Sequence, residues 1–265
     1  MDVTQPILRS AAIPLARAKP SSPSRSRDLA ELWIGFFLVL LALWCERPVQ
    51  LIVGAIAFAW MLLATVRSRA SAAELGLSFS GTRRCLWIVG VAALLAASGV
   101  WIAVREHTFR AVFRHYAVAW SFLAYIVWAL LQQFILQDFF LLRLLRIAPA
   151  RSAAVLAAAV LFAVAHIPNP LLIVATLVWG VAACALFLRY RNLYVLAIAH
   201  AIFGMCLAVT IPNALHHDMR VGLGYLHWHP APAQHQRNHN NQIVSTDACV
   251  MADATSRCSW RQARP

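Results

Sequence analysis

Strongly polar side chains lie within the most apolar part of this sequence, where neither lipid nor a protein core requires them. Two adjacent amides, Gln132 and Gln133, stand in "LLQQFILQDFF" at positions 130–140, and two imidazoles, His166 and His200, lie in later apolar segments. Such groups are costly in these surroundings, and they usually mark a functional site or a contact between helices. Two histidines with an amide cluster are side chains from which a helical bundle builds a metal site or an acid–base site.

A third amide and one acid accompany the glutamine pair. On a continuous helix, Gln132 and Gln133 flank one inner face, and Gln137 shares that face one turn further along. Asp138 lies about 9 Å from Gln132 along the axis and about 240° around it, so we do not expect it to act in place of Gln132. The simplest alternative reading is that the amides form hydrogen bonds between helices, worth about 0.5–2 kcal/mol each.

The composition predicts a membrane protein. Of the 265 residues, 61% are hydrophobic and 12% are charged, which is far from the average of soluble domains. A helix needs about 20 mostly apolar residues to cross the hydrocarbon. We therefore predict an all-α, polytopic transmembrane helical bundle of about seven spans, at roughly 29–45, 48–66, 85–104, 116–141, 152–168, 170–188 and 192–212.

The chain divides into three parts by composition. They are a basic N-terminal arm (1–28) that we expect to be disordered, the transmembrane bundle (29–212), and a polar, His-rich C-terminal tail (213–265) that we expect to be largely disordered. The histidines of the tail fit no defined metal site. Cys249 and Cys258 can pair if the tail faces an oxidising compartment.

The distribution of basic residues predicts the orientation. With alternating spans, one side of the membrane receives 14 Lys and Arg residues and the loops of the other side receive 4. The positive-inside rule then places the N-terminus in the cytoplasm and the tail outside. We expect an integral protein of a bacterial inner membrane, in contact with the lipid bilayer. We expect no nucleic-acid partner, because no basic groove is interleaved with aromatic residues.

Three short motifs follow one another in the apolar part of the chain. They read "QQFILQ" (132–137), "FAVAH" (162–166) and "HAIFG" (200–204). Over roughly 115–212, the sequence resembles the CPBP family of intramembrane proteases, which includes the type II CAAX prenyl endopeptidases. That family carries three corresponding motifs on transmembrane helices. In order, they are E-E-x-x-x-R, F-x-x-x-H and H-x-x-x-N, and the last residue is written N or B.

The resemblance implies an endopeptidase that cleaves a membrane-anchored protein or peptide within or next to the bilayer. In the family, the first Glu activates the attacking water, two His complete the site, and the Asn helps to stabilise the oxyanion. By position, the resemblance implies Gln132, His166 and His200 as catalytic residues. Four further residues are implied in support of them: Gln133, Gln137, Phe162 and Gly204.

The chain departs from the family pattern at the first and third motifs. Gln132 replaces the catalytic Glu, and an amide cannot take a proton from water near pH 7; losing that step costs about 10²–10⁴-fold in rate. Gly204 replaces the Asn and offers no side-chain donor. Two alternatives stay open: an inactive pseudoprotease that binds membrane segments as an adaptor or chaperone, and a small transporter. The transporter is disfavoured because the sequence shows no inverted repeat.

We expect no cofactor. Zinc is the alternative to a metal-free site, because two neutral His can ligate it. Catalytic zinc usually has three protein ligands, and the motifs supply no third carboxylate or thiolate.

Overall fold

The described part of the chain is entirely helical. In this computed structural model, residues 22–79, 81–109 and 117–229 are described, and they contain no strand, as predicted. The helices are α1 (Ser22–Trp44), α2 (Val49–Arg67), α3 (Leu86–Arg105), α4 (Ala117–Gln133), a π-helix (Phe134–Leu141), α5 (Leu142–Ile147), α6 (Arg151–Val164), α7 (Pro170–Tyr190), α8 (Leu193–Thr210), α9 (Asn213–His216) and α10 (Leu223–Leu226), with short 3₁₀ turns at Thr82–Arg84 and His217–Met219.

Five helical segments of the described residues are long and apolar enough to cross a membrane. They are Val49–Arg67, Leu86–Arg105, Phe122–Ile147, Pro170–Tyr190 and Leu193–Thr210. The protein is therefore an integral membrane protein, but the predicted number of seven spans is not confirmed. With 14 residues, α6 is about 21 Å long, which is shorter than the hydrocarbon core of about 30 Å. The first turns of α1 carry charged residues, and its apolar run begins only at Leu32.

The helices pack in neighbouring pairs around the motif-bearing segment. Helix α1 lies along α2, α6 lies along α7, and α8 packs between α3 and α4. The π-helix contacts α2, α5, α6 and α7, and its residues from Leu136 to Leu141 are all buried. This segment therefore lies among four helices that come before and after it in the chain.

The fourth predicted span is not a continuous α-helix. It changes to π-helical winding at Phe134, directly after the glutamine pair, and returns to α-helix at Leu142. A π-helix has wider turns, with i→i+5 hydrogen bonds, and such segments are frequent at functional sites. The rotation of 100° per residue that we assumed for the whole span therefore ends at Gln133, and the directions of later side chains follow from the wider turn.

Two asparagines fix the starts of the helices that follow. The Asn169 side chain accepts a hydrogen bond from the Leu172 N–H (3.2 Å) at the start of α7. The Asn192 side chain accepts one from the Val195 N–H (2.9 Å) at the start of α8. Each cap satisfies a backbone donor that the first turn leaves unpaired. The second cap sets where α8 begins, and so the position of His200 along it.

Ion pairs join α1 to α5. Arg143 is only 1% exposed and donates to Glu31 at 2.9 Å, and its guanidinium also donates to the Phe139 carbonyl at 3.0 Å. Arg146 pairs with Asp28 at 2.7 Å. A buried Arg is tolerated only when it is paired and hydrogen-bonded. The charges at the start of α1 therefore fix its position against the segment that follows the π-helix.

The segment after α8 folds back toward the turn between α6 and α7. The Gly222 N–H donates to the Ile167 carbonyl (2.9 Å), and the Asn169 amide donates to the His216 carbonyl (2.9 Å). Residues 213–229 thus form α9, a 3₁₀ turn and α10 within the predicted tail. The rest of that tail (230–265), which includes both of its cysteines, lies outside the described residues, as does the arm up to residue 21.

A first prediction concerns the close approach of α6 and α7. A Cβ on Gly180 would lie 3.1 Å from the Cα and the Cβ of Ala159. We expect Gly180→Leu to push these helices apart and to lower the free energy of unfolding by about 1–3 kcal/mol. SDS titration of the detergent-solubilised protein, followed by circular dichroism, measures this change.

The control is Gly90→Leu, because Gly90 is exposed on α3 and a Cβ there meets no atom within 4 Å. Equal unfolding midpoints for the two variants would contradict close packing of α6 on α7.

Candidate functional site

The Gln133 amide connects two of the predicted site residues. Its Nε2 lies 3.2 Å from His200 Nδ1, and its Oε1 accepts a hydrogen bond from Gln137 Nε2 at 3.1 Å. Gln133 and Gln137 are fully buried, and His200 is 8% exposed. Helices α4 and α8 are therefore joined by a polar chain inside an apolar bundle.

The orientation of the Gln133 amide fixes the proton of His200. Because the Gln133 oxygen accepts from Gln137, its NH₂ group faces His200 Nδ1 and must donate to it. Nδ1 of a neutral imidazole that accepts a hydrogen bond carries no proton, so the proton is on Nε2. His200 therefore presents an N–H donor at the far side of its ring.

His166 has the opposite tautomer. Its Nδ1 lies 2.7 Å from the Phe162 carbonyl oxygen, one turn earlier on α6. A carbonyl oxygen only accepts, so Nδ1 carries the proton and Nε2 keeps a free lone pair. His166 is half-buried, unlike His200. It therefore presents an acceptor that can hold a water molecule or take a proton from it.

The aromatic ring of Phe162 brings the two imidazoles to one place. Its ring centroid lies 4.9 Å from that of His166 and 6.0 Å from that of His200, with edge-on geometry in both cases. Trp179 of α7 lies against His200 from another direction, at 5.9 Å between centroids. The second and third motifs thus meet across an aromatic wall, which we define as Phe162 and Trp179.

The two neighbouring glutamines do not share one environment. Gln132 is half-buried, and its side chain makes no hydrogen bond to the described residues, whereas Gln133 makes two. One residue along an α-helix is a rotation of 100°, so adjacent side chains rarely enter the same contact. Gln133 supports His200, and the Gln132 amide stays available for another partner.

Two residues of the π-helix carry buried side-chain oxygens that lack a hydrogen-bond donor. The Oε1 atom of Gln137 and both carboxylate oxygens of Asp138 are buried and accept no hydrogen bond from the described residues. Asp138 is 1% exposed and makes no hydrogen bond to the imidazoles or to the Gln133 amide. It therefore lies outside the polar chain that ends at Gln137.

Gly204, the last residue of the third motif, lies against a tyrosine that the motif analysis missed. A Cβ on Gly204 would lie 2.7 Å from two ring carbons of Tyr125 and closer still to its hydroxyl oxygen. Tyr125 precedes Gln132 by seven residues, which is two turns of α4, so both residues point to the same side of that helix. That spacing is the signal by which the sequence could have indicated it.

The side chains of the site offer few donors to a metal ion. Among the described residues, no group of three or more His, Cys, Asp or Glu side chains comes together. His166 and His200 with neutral amides fall short of the three ligands that catalytic zinc usually has. The metal-free site stays a prediction, which a chelator can test.

Comparison with known proteins bears on the segment that carries these residues. Residues 114–206 match the family model described as type II CAAX prenyl endopeptidase Rce1-like. The predicted resemblance is confirmed. The match covers roughly a third of the chain and includes all three motif positions. Neither the curated proteins nor the solved structures gave a match to this chain.

A second prediction separates the two glutamines of the CAAX-endopeptidase-like segment. We expect Gln133→Leu to lower the free energy of unfolding by about 1–3 kcal/mol, because it leaves His200 Nδ1 and Gln137 Nε2 buried without partners. The same substitution at Gln132 removes no hydrogen bond to the described residues, so we expect a change within about 0.5 kcal/mol. Unfolding in SDS compares this matched pair, and equal losses would contradict the central position of Gln133.

Proposed function

We propose that this protein is an intramembrane endopeptidase of the CAAX type that cleaves a membrane-associated protein within or next to the bilayer. Water attacks the peptide carbonyl at a site built from Gln132, His166 and His200. The observation that carries this proposal is that two imidazoles, whose Nδ1 atoms have different partners, lie against one aromatic ring. The imidazole that follows α6 and the imidazole on α8 both lie against the Phe162 ring, and their Nδ1 atoms meet an acceptor and a donor respectively.

In the proposed reaction, each imidazole has a different task. His166 Nε2 accepts a proton from the attacking water as the oxygen–carbon bond forms, and an imidazole is well suited to this near neutral pH. The electron pair of the carbonyl moves to its oxygen, and His200 Nε2–H donates a hydrogen bond to that oxyanion. His166 then returns the proton to the leaving nitrogen as the carbon–nitrogen bond breaks.

Gln132 orients the water in this scheme. Its amide makes no hydrogen bond to the described residues, so both its oxygen and its NH₂ group are available. An amide can position a water molecule by hydrogen bonds, although it cannot remove a proton from it. The Gln133 amide acts on the other imidazole, where it holds His200 in the tautomer that donates.

The substrate class follows from the family match and the membrane setting. The matched segment carries the three motifs, and three of the five candidate spans lie wholly or largely within it. A site on such helices is within reach of a chain that is anchored in the same bilayer. The proposed substrate is therefore a membrane-anchored protein or peptide.

A second candidate function is binding of membrane segments without cleavage. The observation that favours it is the absence of a carboxylate from the hydrogen-bonded cluster in the described residues. Gln132 and Gln133 stand where the family has Glu, and they keep the shape and polarity of that site without its charge. Such a pseudoprotease would act as an adaptor or chaperone.

A third prediction tests the enzyme against the pseudoprotease. A tagged reporter with a C-terminal membrane anchor is co-expressed with the natural protein, and cleavage is followed by immunoblot. We expect cleavage by the natural protein, and a reduction of about 10²–10⁴-fold in His166→Ala and in His200→Ala, because each loses its part in proton transfer or oxyanion stabilisation. His227→Ala is the matched control, since His227 is exposed and lies beyond the bundle.

The same experiment includes Gln132→Glu. An intact reporter with the natural protein, together with cleavage by Gln132→Glu, would identify a protease scaffold without its base and would support the second candidate. Full activity of His166→Ala would contradict the role given to that imidazole.

A fourth prediction concerns metal. We expect cleavage to continue at an unchanged rate after treatment with EDTA or 1,10-phenanthroline, because the proposed steps use only side chains and water. The measurement is the rate of reporter cleavage in detergent-solubilised membranes before and after chelation. Loss of activity that zinc restores would overturn the metal-free mechanism.

A further inference from the structure

The position at the end of the third motif has no side chain, and a tyrosine fills the space beside it. A Cβ on Gly204 would lie 2.7 Å from the Cε1 and Cζ atoms of Tyr125, which is a distance that real Cβ atoms do not adopt. The hydroxyl oxygen lies nearer still. Tyr125 Oη therefore occupies the volume into which any side chain at position 204 would extend.

The hydroxyl of Tyr125 is available to a ligand. It makes no hydrogen bond to the described residues, and it is not among their fully enclosed polar atoms. Buried tyrosines usually find a partner for this group, because an unmet hydroxyl in apolar surroundings is costly. An O–H group that is neither paired nor enclosed can donate to a group that enters the site.

The position of this hydroxyl relates it to the imidazoles. Gly204 follows His200 by one turn of α8, a rise of about 6 Å, and Tyr125 lies on the side of α4 that carries Gln132. Helices α4 and α8 pack directly against each other. The same pair of helices thus supplies the His200 donor, the water-orienting amide and the Tyr125 hydroxyl.

We propose that Tyr125 donates its O–H to the oxyanion, as a second donor beside His200 Nε2–H. This inference rests on the proposed endopeptidase function. Gly204 contributes no side-chain donor, and one imidazole N–H leaves the oxyanion with further lone pairs that accept no hydrogen bond. A phenol hydroxyl is a neutral donor of the kind that serves in such sites, where removal of one donor costs about 10²–10³-fold in turnover.

The experiment separates turnover from binding. Reporter cleavage by the purified full chain is measured over a range of substrate concentrations for the natural protein, Tyr125→Phe and Tyr194→Phe. We expect Tyr125→Phe to lower kcat by about 10²–10³-fold with little change in KM, because the hydroxyl acts on the transition state. Tyr194→Phe is the control, since Tyr194 stacks on Phe79 at the start of α8 and should leave both constants unchanged.

A second variant guards against a merely structural effect. In Tyr125→Ala the phenol is removed, and in the double variant Tyr125→Ala with Gly204→Asn an amide donor is built from the other helix into the vacated space. We expect the double variant to regain at least about tenfold in kcat over Tyr125→Ala, because a donor again faces the oxyanion. Gly204→Asn alone should be inactive, since its side chain collides with the phenol.

The outcomes distinguish this inference from the function on which it rests. If Tyr125→Phe cleaves as fast as the natural protein, the tyrosine is not an oxyanion donor, while the endopeptidase function stands. An equal loss in kcat for Tyr125→Ala and the double variant would also overturn it. If only Gln132→Glu cleaves, the same comparison is made in that background. A reporter left intact by both the natural protein and Gln132→Glu would overturn the proposed function and this inference together.

Discussion

The rest of the site depends on the two hydrogen bonds of one buried amide. Gln133 has no exposed surface, and its two hydrogen bonds are the means by which an amide is tolerated in an apolar bundle. Gln137 decides which way that amide points, and the amide in turn decides the tautomer of His200. A group with no part in bond making thus determines what the neighbouring imidazole can do.

The π-helix places this amide at the centre of the bundle. Its wider turns begin at the residue after Gln133 and contact four other helices, while Arg143 is held by Glu31 directly beyond its end. Side chains on both sides of the amide are therefore fixed by packing. A polar chain held in this way keeps one orientation, because rotating any member leaves a buried group unpaired.

Replacing a glutamate pair by glutamines changes where proton chemistry can take place. Amides keep the hydrogen bonds of this space and avoid the high cost of burying two negative charges side by side. In the proposed reaction the task of taking a proton passes to the imidazoles, and Phe162 lies against both of them. The difference between the two imidazoles follows from their Nδ1 partners, because His166 Nδ1 meets a carbonyl acceptor and His200 Nδ1 meets an amide donor.

The sequence by itself determined the helical membrane class, the order of the three motifs and the resemblance of residues 114–206 to the CAAX endopeptidases, since composition and residue spacing along one chain carry that information. The seven spans that it predicted are not confirmed, since α6 ends after 14 residues and α1 begins with charges, which hydropathy alone does not register. Only the tertiary structure decided that Gln133 rather than Gln132 meets His200, and that Tyr125 fills the space beside Gly204. The physical reason is that a side chain's partner depends on the rotation and close approach of whole helices. Packing against distant segments sets both, and here it also changes the winding of the helix that carries the amides.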